Sequence, residues 1–85
     1  MEKIIQKKII NNLEKQGHFV LKLIKTNKNG IPDLIAIKEN EFFFVEVKQK
    51  NGKLSEIQKF RISELKEKNI KTYVSYGDVD FEKWV

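Results

Sequence analysis

The chain has 85 residues, and its 17 lysines and arginines against 12 aspartates and glutamates give a net charge of +5. It contains no cysteine and a single histidine, His18, which excludes disulfides, thiolate metal sites and multi-histidine metal sites. No apolar run approaches the ~20 residues of a membrane-spanning helix, and the N-terminus has no apolar stretch of the signal-peptide type. We therefore expect one small domain in a reducing, cytoplasmic setting, with no membrane partner.

The basic charge comes almost entirely from lysine, since Arg61 is the only arginine. A pI near 9.5 is typical of nucleic-acid-binding domains. Lysine brings a point charge to phosphate groups rather than the bidentate reading of bases that arginine provides. The composition therefore favours binding to a nucleic-acid backbone over sequence reading, although a soluble protein from an AT-rich genome would also be rich in lysine.

The first half of the chain predicts one helix and three strands. A helix is expected over residues 2–16, where apolar side chains share one face and Gly17 ends the pattern. Strands are expected over residues 18–24, 34–37 and 42–48, of which the last two form a hairpin. Both faces of this hairpin are apolar, so we expect both to be covered.

The second half predicts a helix and a final strand. Ser55 and Gln58 fit a capping box at the start of a helix that ends near Lys68. A fourth strand is expected over residues 71–76, and residues 78–85 are expected to form a terminal helical turn in which Phe81 and Trp84 pack back. The order α-β-β-β-α-β predicts an α/β fold with a mixed central sheet flanked by helices.

A pair of carboxylates is expected at one end of the hairpin. A two-residue turn at residues 39–40 places Asp33 directly opposite Glu46, with Cβ atoms ~4.5–5.5 Å apart. Carboxylates so placed repel each other and cost free energy to desolvate, and a cation relieves both problems. Oxygen ligands at a half-buried site suit Mg²⁺ or Mn²⁺.

Lys48 is expected beside this pair, because alternate side chains of a strand point to the same face. Its ammonium can orient or deprotonate a water and hold a phosphate oxygen, which together with a metal suits phosphodiester hydrolysis. Taken singly, Asp33 also reads as a turn residue, and Glu46 and Lys48 as a charged pair on an exposed strand. The apolar residues around Glu46 favour a central strand, where a charged side chain is usually kept for a structural or functional purpose.

Three further residues point towards the same place, each with an alternative. Gln58 faces inward and suits either a metal-bound water or phosphate, or the capping box alone. Arg61 also faces inward, or packs its stem on the core with its guanidinium in solvent. Glu2 lies in the apolar sector of the first helix, either as a third carboxylate or as an N-terminal acid favoured by the helix dipole.

Four lysines in loops, together with Arg61, are candidates for nucleic-acid phosphate contacts. Lys25 and Lys28 belong to the polar loop at residues 25–30, and Lys50 and Lys53 follow the third predicted strand. The alternative for all four is an ordinary solvated loop.

Three segments occur in order along the chain: Gly30-Ile31-Pro32-Asp33, Glu46-Val47-Lys48 and Leu54-Ser55-x-x-Gln58. In this order and at this spacing they resemble the PD-(D/E)XK nuclease superfamily, and within it the stand-alone VRR-NUC domains of phages and bacteria. The likeness extends from Glu2, which matches the first-helix acid of the family, to about Gly77.

The resemblance implies a restriction-endonuclease-like core and a divalent-metal-dependent endonuclease that hydrolyses phosphodiester bonds in DNA. It implies that Asp33, Glu46 and the Val47 carbonyl bind the metal. It gives Lys48 a catalytic role and Gln58 a supporting one. It also implies a homodimer that acts on branched DNA such as four-way (Holliday) junctions, in a bacterial or phage-infected cell.

Two other functions remain open from the sequence. One is a nuclease-like DNA-binding module without catalysis, or a subunit of a larger assembly. The other is a basic RNA-binding domain, which aromatic residues on an open sheet face would favour. The phenylalanines here alternate to both faces of a hairpin that is expected to be covered.

Overall fold

Within residues 2–80, which the computed structural model describes, two helices and four strands follow each other in the predicted order α-β-β-β-α-β. The elements are α1 (Glu2–Lys15), β1 (Phe19–Lys22), β2 (Leu34–Lys38), β3 (Glu41–Lys48), α2 (Glu56–Glu67) and β4 (Thr72–Tyr76).

The differences from the predicted bounds are small. Strand β1 ends at Lys22, although the Leu23 N–H still donates to the Asp33 carbonyl at 2.8 Å. Helix α2 is followed by Asn69 in the left-handed region, with φ +62°, as expected for a helix end. Residues 78–80 are not helical, and Phe81 and Trp84 of the expected terminal turn lie outside the described residues.

The four strands form one mixed sheet in the order β1-β2-β3-β4. The β1–β2 and β2–β3 pairs are antiparallel, and β3–β4 is parallel because α2 carries the chain back between them. The hairpin pairs Lys38 with Glu41 and continues to Leu34 opposite Val45, which is the register expected from a two-residue turn. This register determines which side chains meet at the far end of the hairpin.

Helix α1 closes the main core on one face of the sheet. The buried side chains there are Ile9, Leu13, Leu34, Ala36, Val45 and Val47. On the second face, buried Ile62 of α2 and buried Val74 show coverage of the β3–β4 side, whereas Phe19, Leu21 and Phe42 stay exposed. The expectation that both hairpin faces are covered is therefore wrong for the β1–β2 side, which α2 does not reach.

The loop after β1 is held against α2. Gly30 approaches the helix so closely that an added Cβ would lie 2.7 Å from the Ile57 carbonyl oxygen. One residue earlier, the Asn29 carbonyl accepts a hydrogen bond from Arg61 Nε at 2.7 Å. These contacts place the segment that leads into Asp33.

Replacing Gly30 with alanine is expected to destabilise the fold more than the same change at Gly77. Both glycines have positive φ, +78° and +96°, so each alanine carries a left-handed penalty of about 1–2 kcal/mol. Only at Gly30 would the new Cβ also clash with backbone, since the nearest atom at Gly77, the backbone nitrogen of Lys50, lies at an ordinary contact distance of 3.5 Å. Urea unfolding measures both variants, and equal losses would show that the loop does not pack this closely on α2.

Candidate active site

Two carboxylates meet where the β2–β3 hairpin ends. Beyond the last ladder pair, Asp33 Oδ2 accepts a hydrogen bond from the Val47 N–H at 2.8 Å. The Asp33 carboxylate accepts the hydrogen bond that a backbone carbonyl of β2 would accept if the ladder continued. This bond holds the carboxylate towards β3. The carboxyl groups of Asp33 and Glu46 lie close enough to hydrogen-bond to each other once one of them carries a proton.

Glu46 is a buried acid, with only 2% of its surface exposed. Burial raises its pKa from an ordinary 4.5 to about 8, and the charge of Asp33 and a hydrogen bond to it act in the same direction. The charge of Lys48 lowers the pKa of Glu46, and the charge of Glu2 raises it. All three charged neighbours are therefore within electrostatic reach of one carboxyl group.

The two oxygens of Glu46 differ in their partners. Gln58 Nε2 donates to Oε2 at 3.2 Å, whereas Oε1 is buried and has no hydrogen-bond partner among the described residues. A buried acceptor without a donor is costly unless it is protonated or bound to a cation. This oxygen and the neighbouring Asp33 carboxyl group thus offer the hard oxygen ligands that Mg²⁺ and Mn²⁺ prefer.

Gln58 joins the start of α2 to Glu46. Its backbone N–H donates to Ser55 Oγ at 3.2 Å, and its Oε1 accepts from the Ser55 N–H at 2.9 Å. Because Oε1 is engaged there, Nε2 is the atom that faces Glu46. Gln58 is therefore a capping residue and also a partner of the buried acid.

Lys48 and Glu2 lie at the margin of the acid pair. Lys48 is half-buried and leaves β3 on the same face as Glu46. Glu2 is exposed in the first turn of α1. In residues 2–80, no three acidic, histidine or cysteine side chains form a group that could hold one ion. In this arrangement the charge of Glu2 is what links it to Glu46.

The predicted phosphate contacts are of two kinds. Lys25, Lys28, Lys50 and Lys53 are exposed, and none of them takes part in the ion pairs seen between residues 2 and 80.

Arg61 is instead engaged within the protein. Beyond its bond to Asn29, it bonds Glu64 Oε1 at 3.0 Å and is only 16% exposed in its side chain. The alternative of a guanidinium in solvent is wrong. Arg61 instead holds the loop at residues 25–30 through its hydrogen bond to Asn29. Sequence reasoning missed this bond and that of Asp33 to Val47, because neither leaves a local pattern.

The fold and the paired acids with an adjacent lysine are those of a PD-(D/E)XK-type nuclease domain. The profile of the VRR-NUC domain matches residues 1–79, and the chain belongs to the VRR-NUC domain family. A solved structure described as a VRR-NUC domain is similar, with a TM-score of 0.85 and 29% identity over 99% of this chain and 97% of that one. No curated protein matches. The predicted family and fold are confirmed, and no helix within residues 2–80 is long and apolar enough to span a bilayer.

Without a divalent cation, the protein is expected to lose stability as the pH rises from 4.5 to about 8. Folded Glu46 keeps its proton across this range while the unfolded chain releases it near 4.5, so rising pH favours the unfolded state. Thermal unfolding in EDTA at several pH values measures the effect. Glu46→Gln cannot ionise and serves as the control; a wild-type slope no steeper than that of the variant would contradict the raised pKa.

Proposed function

We propose that the protein is a divalent-metal-dependent DNA endonuclease that hydrolyses phosphodiester bonds. The observation that carries this is the buried Glu46 beside Asp33, because no group in residues 2–80 partners its Oε1. An ordinary charged pair on a strand would be solvated and would need no cation. Here the acids are held together where water is excluded, which is costly unless a cation binds. Membership of a PD-(D/E)XK-type nuclease family supports the same function.

Mg²⁺ or Mn²⁺ would be held by Asp33, Glu46 and the Val47 carbonyl. The Val47 N–H points at Asp33, and the N–H and C=O of one strand residue point to the same side, so this carbonyl also faces Asp33. Glu2 remains the proposed third carboxylate, because its charge already reaches Glu46 from α1. The cation, when bound, supplies a more acidic water and neutralises charge on the phosphate.

Lys48 is the proposed catalytic residue. Its ammonium leaves the strand on the face of Glu46, where it can hold a non-bridging phosphate oxygen and orient the attacking water. The water oxygen adds to phosphorus and one phosphorus–oxygen ester bond breaks, which leaves a phosphate end and a hydroxyl end. Gln58 donates to Glu46 and keeps its carboxylate in place, so we assign it a positioning role.

The proposed substrate is branched DNA such as a four-way junction. Exposed Lys25, Lys28, Lys50 and Lys53 would contact phosphates, while Arg61 places the loop that carries the first two. Lysine contacts to the backbone carry no sequence information, which suits recognition of DNA shape. One site cuts one strand, so we propose a homodimer that presents two sites, in the cytoplasm of a bacterial or phage-infected cell.

Wild-type protein is expected to cleave a labelled four-way junction faster than a linear duplex in Mg²⁺ or Mn²⁺, and neither in EDTA. Lys48→Ala should lower the cleavage rate at least about 100-fold, since it removes the ammonium proposed to hold the phosphate oxygen and orient the attacking water, while DNA binding persists. Lys15→Ala removes an exposed ammonium at the end of α1 farthest from Glu2, outside the proposed DNA contacts, and is the matched control.

Failure of folded wild type to cleave any DNA would leave a DNA-binding module without catalysis. Equal rates in Lys48→Ala and Lys15→Ala would take Lys48 out of the mechanism. Equal cleavage of junction and duplex would remove the proposed selectivity alone.

Gln58→Ala is expected to weaken Mn²⁺ binding by about 10–100-fold, because it removes a hydrogen bond to a metal ligand. Ser55→Ala is the matched control, since it also breaks the capping box, at a cost of about 1 kcal/mol, but keeps the donor to Glu46. Isothermal titration calorimetry compares the two, and equal losses would show that the helix start rather than this bond sets the affinity.

A further inference from the structure

One large apolar side chain stands in solvent just after β1. Ile24 is 87% exposed, more than any other large hydrophobic residue between residues 2 and 80. Residues 24–29 are all exposed, and Ile24 is the only apolar residue among them. A single exposed apolar side chain is ordinary on a protein surface, but the order, the position and the charge of this segment set Ile24 apart.

The segment that carries Ile24 is ordered although it buries no apolar side chain of its own. At its base the Leu23 N–H donates to the Asp33 carbonyl at 2.8 Å. Within it Thr26 Oγ1 donates to the Lys28 carbonyl at 2.6 Å, and the contacts with α2 described above fix its far end. An apolar side chain presented on an ordered loop loses little conformational freedom when it is bound.

Ile24 lies close to the acid pair. It follows Leu23, whose hydrogen bond to Asp33 extends the β1–β2 pairing by one step. Cα atoms are about 5.5 Å apart across such a hydrogen-bonded pair and about 3.8 Å apart along the chain, so the Cα atoms of Ile24 and Asp33 lie within about 10 Å of each other. A DNA backbone with a phosphate at the proposed metal site would therefore pass beside this side chain.

Cations flank Ile24 on both sides along the chain. Lys22, Lys25 and Lys28 are exposed, and none of them forms an ion pair in the described part of the protein. Residues 15–32 contain no acidic residue. Apolar centres of protein interfaces are depleted of lysine, so this arrangement does not suit a protein partner. It suits nucleic acid, which presents phosphates outside and apolar base faces behind them.

We propose that Ile24 is a wedge that inserts between bases at the branch point of the DNA, while the three lysines hold phosphates on either side. Apolar side chains inserted between base steps unstack them and bend the helix, which costs free energy. At a branch point the stack of base pairs is already interrupted, so the cost is smaller there than within a continuous duplex.

The inference rests on the proposed nuclease and assigns its selectivity for branched DNA to one residue. Phosphate contacts from lysine are equally available on a linear duplex, because they read neither sequence nor branching. An inserted side chain instead distinguishes DNA by how readily its bases unstack.

Binding in EDTA tests the wedge without cleavage. The probe is a four-way junction with the fluorescent base 2-aminopurine, whose emission rises on unstacking, at the branch point or in the middle of an arm. Wild type is expected to raise the emission at the branch point only. Ile24→Ala should abolish this rise and lower the affinity for the junction about tenfold or more, the effect of losing one buried isoleucine side chain, but the affinity for linear duplex less than about twofold.

Two further variants complete the comparison. Ile24→Met keeps a large apolar side chain and should retain both the emission and the affinity. Ile4→Ala is the matched control, because Ile4 is 57% exposed and lies on α1, outside this segment. Circular dichroism confirms the folding of each variant.

Unchanged emission and affinity in Ile24→Ala overturn the inference, and so does a wild type that binds no DNA. Equal losses of affinity for junction and duplex also overturn it, since Ile24 would then be an ordinary contact. Sedimentation without DNA tests the other occupant: a lower mass for Ile24→Ala than for Ile4→Ala would show that a second copy of the chain covers Ile24, which overturns the wedge.

The wedge and the nuclease activity are separable in these measurements. A junction that is unstacked at its branch point but never cleaved in Mg²⁺ or Mn²⁺ supports the wedge and removes the nuclease activity. Cleavage of a junction whose branch-point bases stay stacked retains the nuclease and overturns the wedge.

Discussion

The site depends on the register of one hairpin. Because side chains alternate along a strand, a slip of one residue would turn Glu46 into the α1 core and move Val45 and Val47 to the other face. The core side chains of β2 and β3 make such a slip unfavourable, since their apolar set fits only one face against α1. Packing on one side of the sheet therefore specifies the positions of the acids on the other.

Helix α2 raises the free-energy cost of ionising the acid pair and also orients it. By covering the end of β3 it removes water from Glu46, which raises the pKa of that carboxyl group and leaves Oε1 without a donor from the described part of the chain. The capping box that starts the helix also fixes the amide of Gln58, whose free nitrogen then holds Oε2. The capping box at the start of α2 thus helps to orient the Glu46 side chain, which lies 12 residues earlier in the sequence on β3.

The parts of the structure that follow local rules could be predicted from sequence. The turn at residues 39–40 and strand alternation placed Asp33 near Glu46, and the spacing of Ser55 and Gln58 predicted the start of α2. The destination of Arg61 could not be predicted, because the Asn29 carbonyl lies 32 residues away and only the folded chain brings them together. Periodicity likewise indicates that a hairpin face is apolar, but not whether the same chain covers it.

The width of a helix explains the uncovered region. An α-helix with its side chains is about 10–12 Å across, and strands are spaced ~4.8 Å apart, so a single helix covers about two strands. Since α2 lies over β3 and β4, the apolar rows of β1 and β2 on that side are left without cover. On the other face α1 lies across the middle of the sheet, in contact with β1 and β3, so one helix is enough to close the core there. On the α2 side a carboxylate oxygen without a donor lies next to uncovered phenylalanines, and no group between residues 2 and 80 satisfies either. A buried acceptor without a donor and an uncovered apolar surface each reduce the stability of the fold. Where the two lie side by side, a binding site is the expected reason for keeping them.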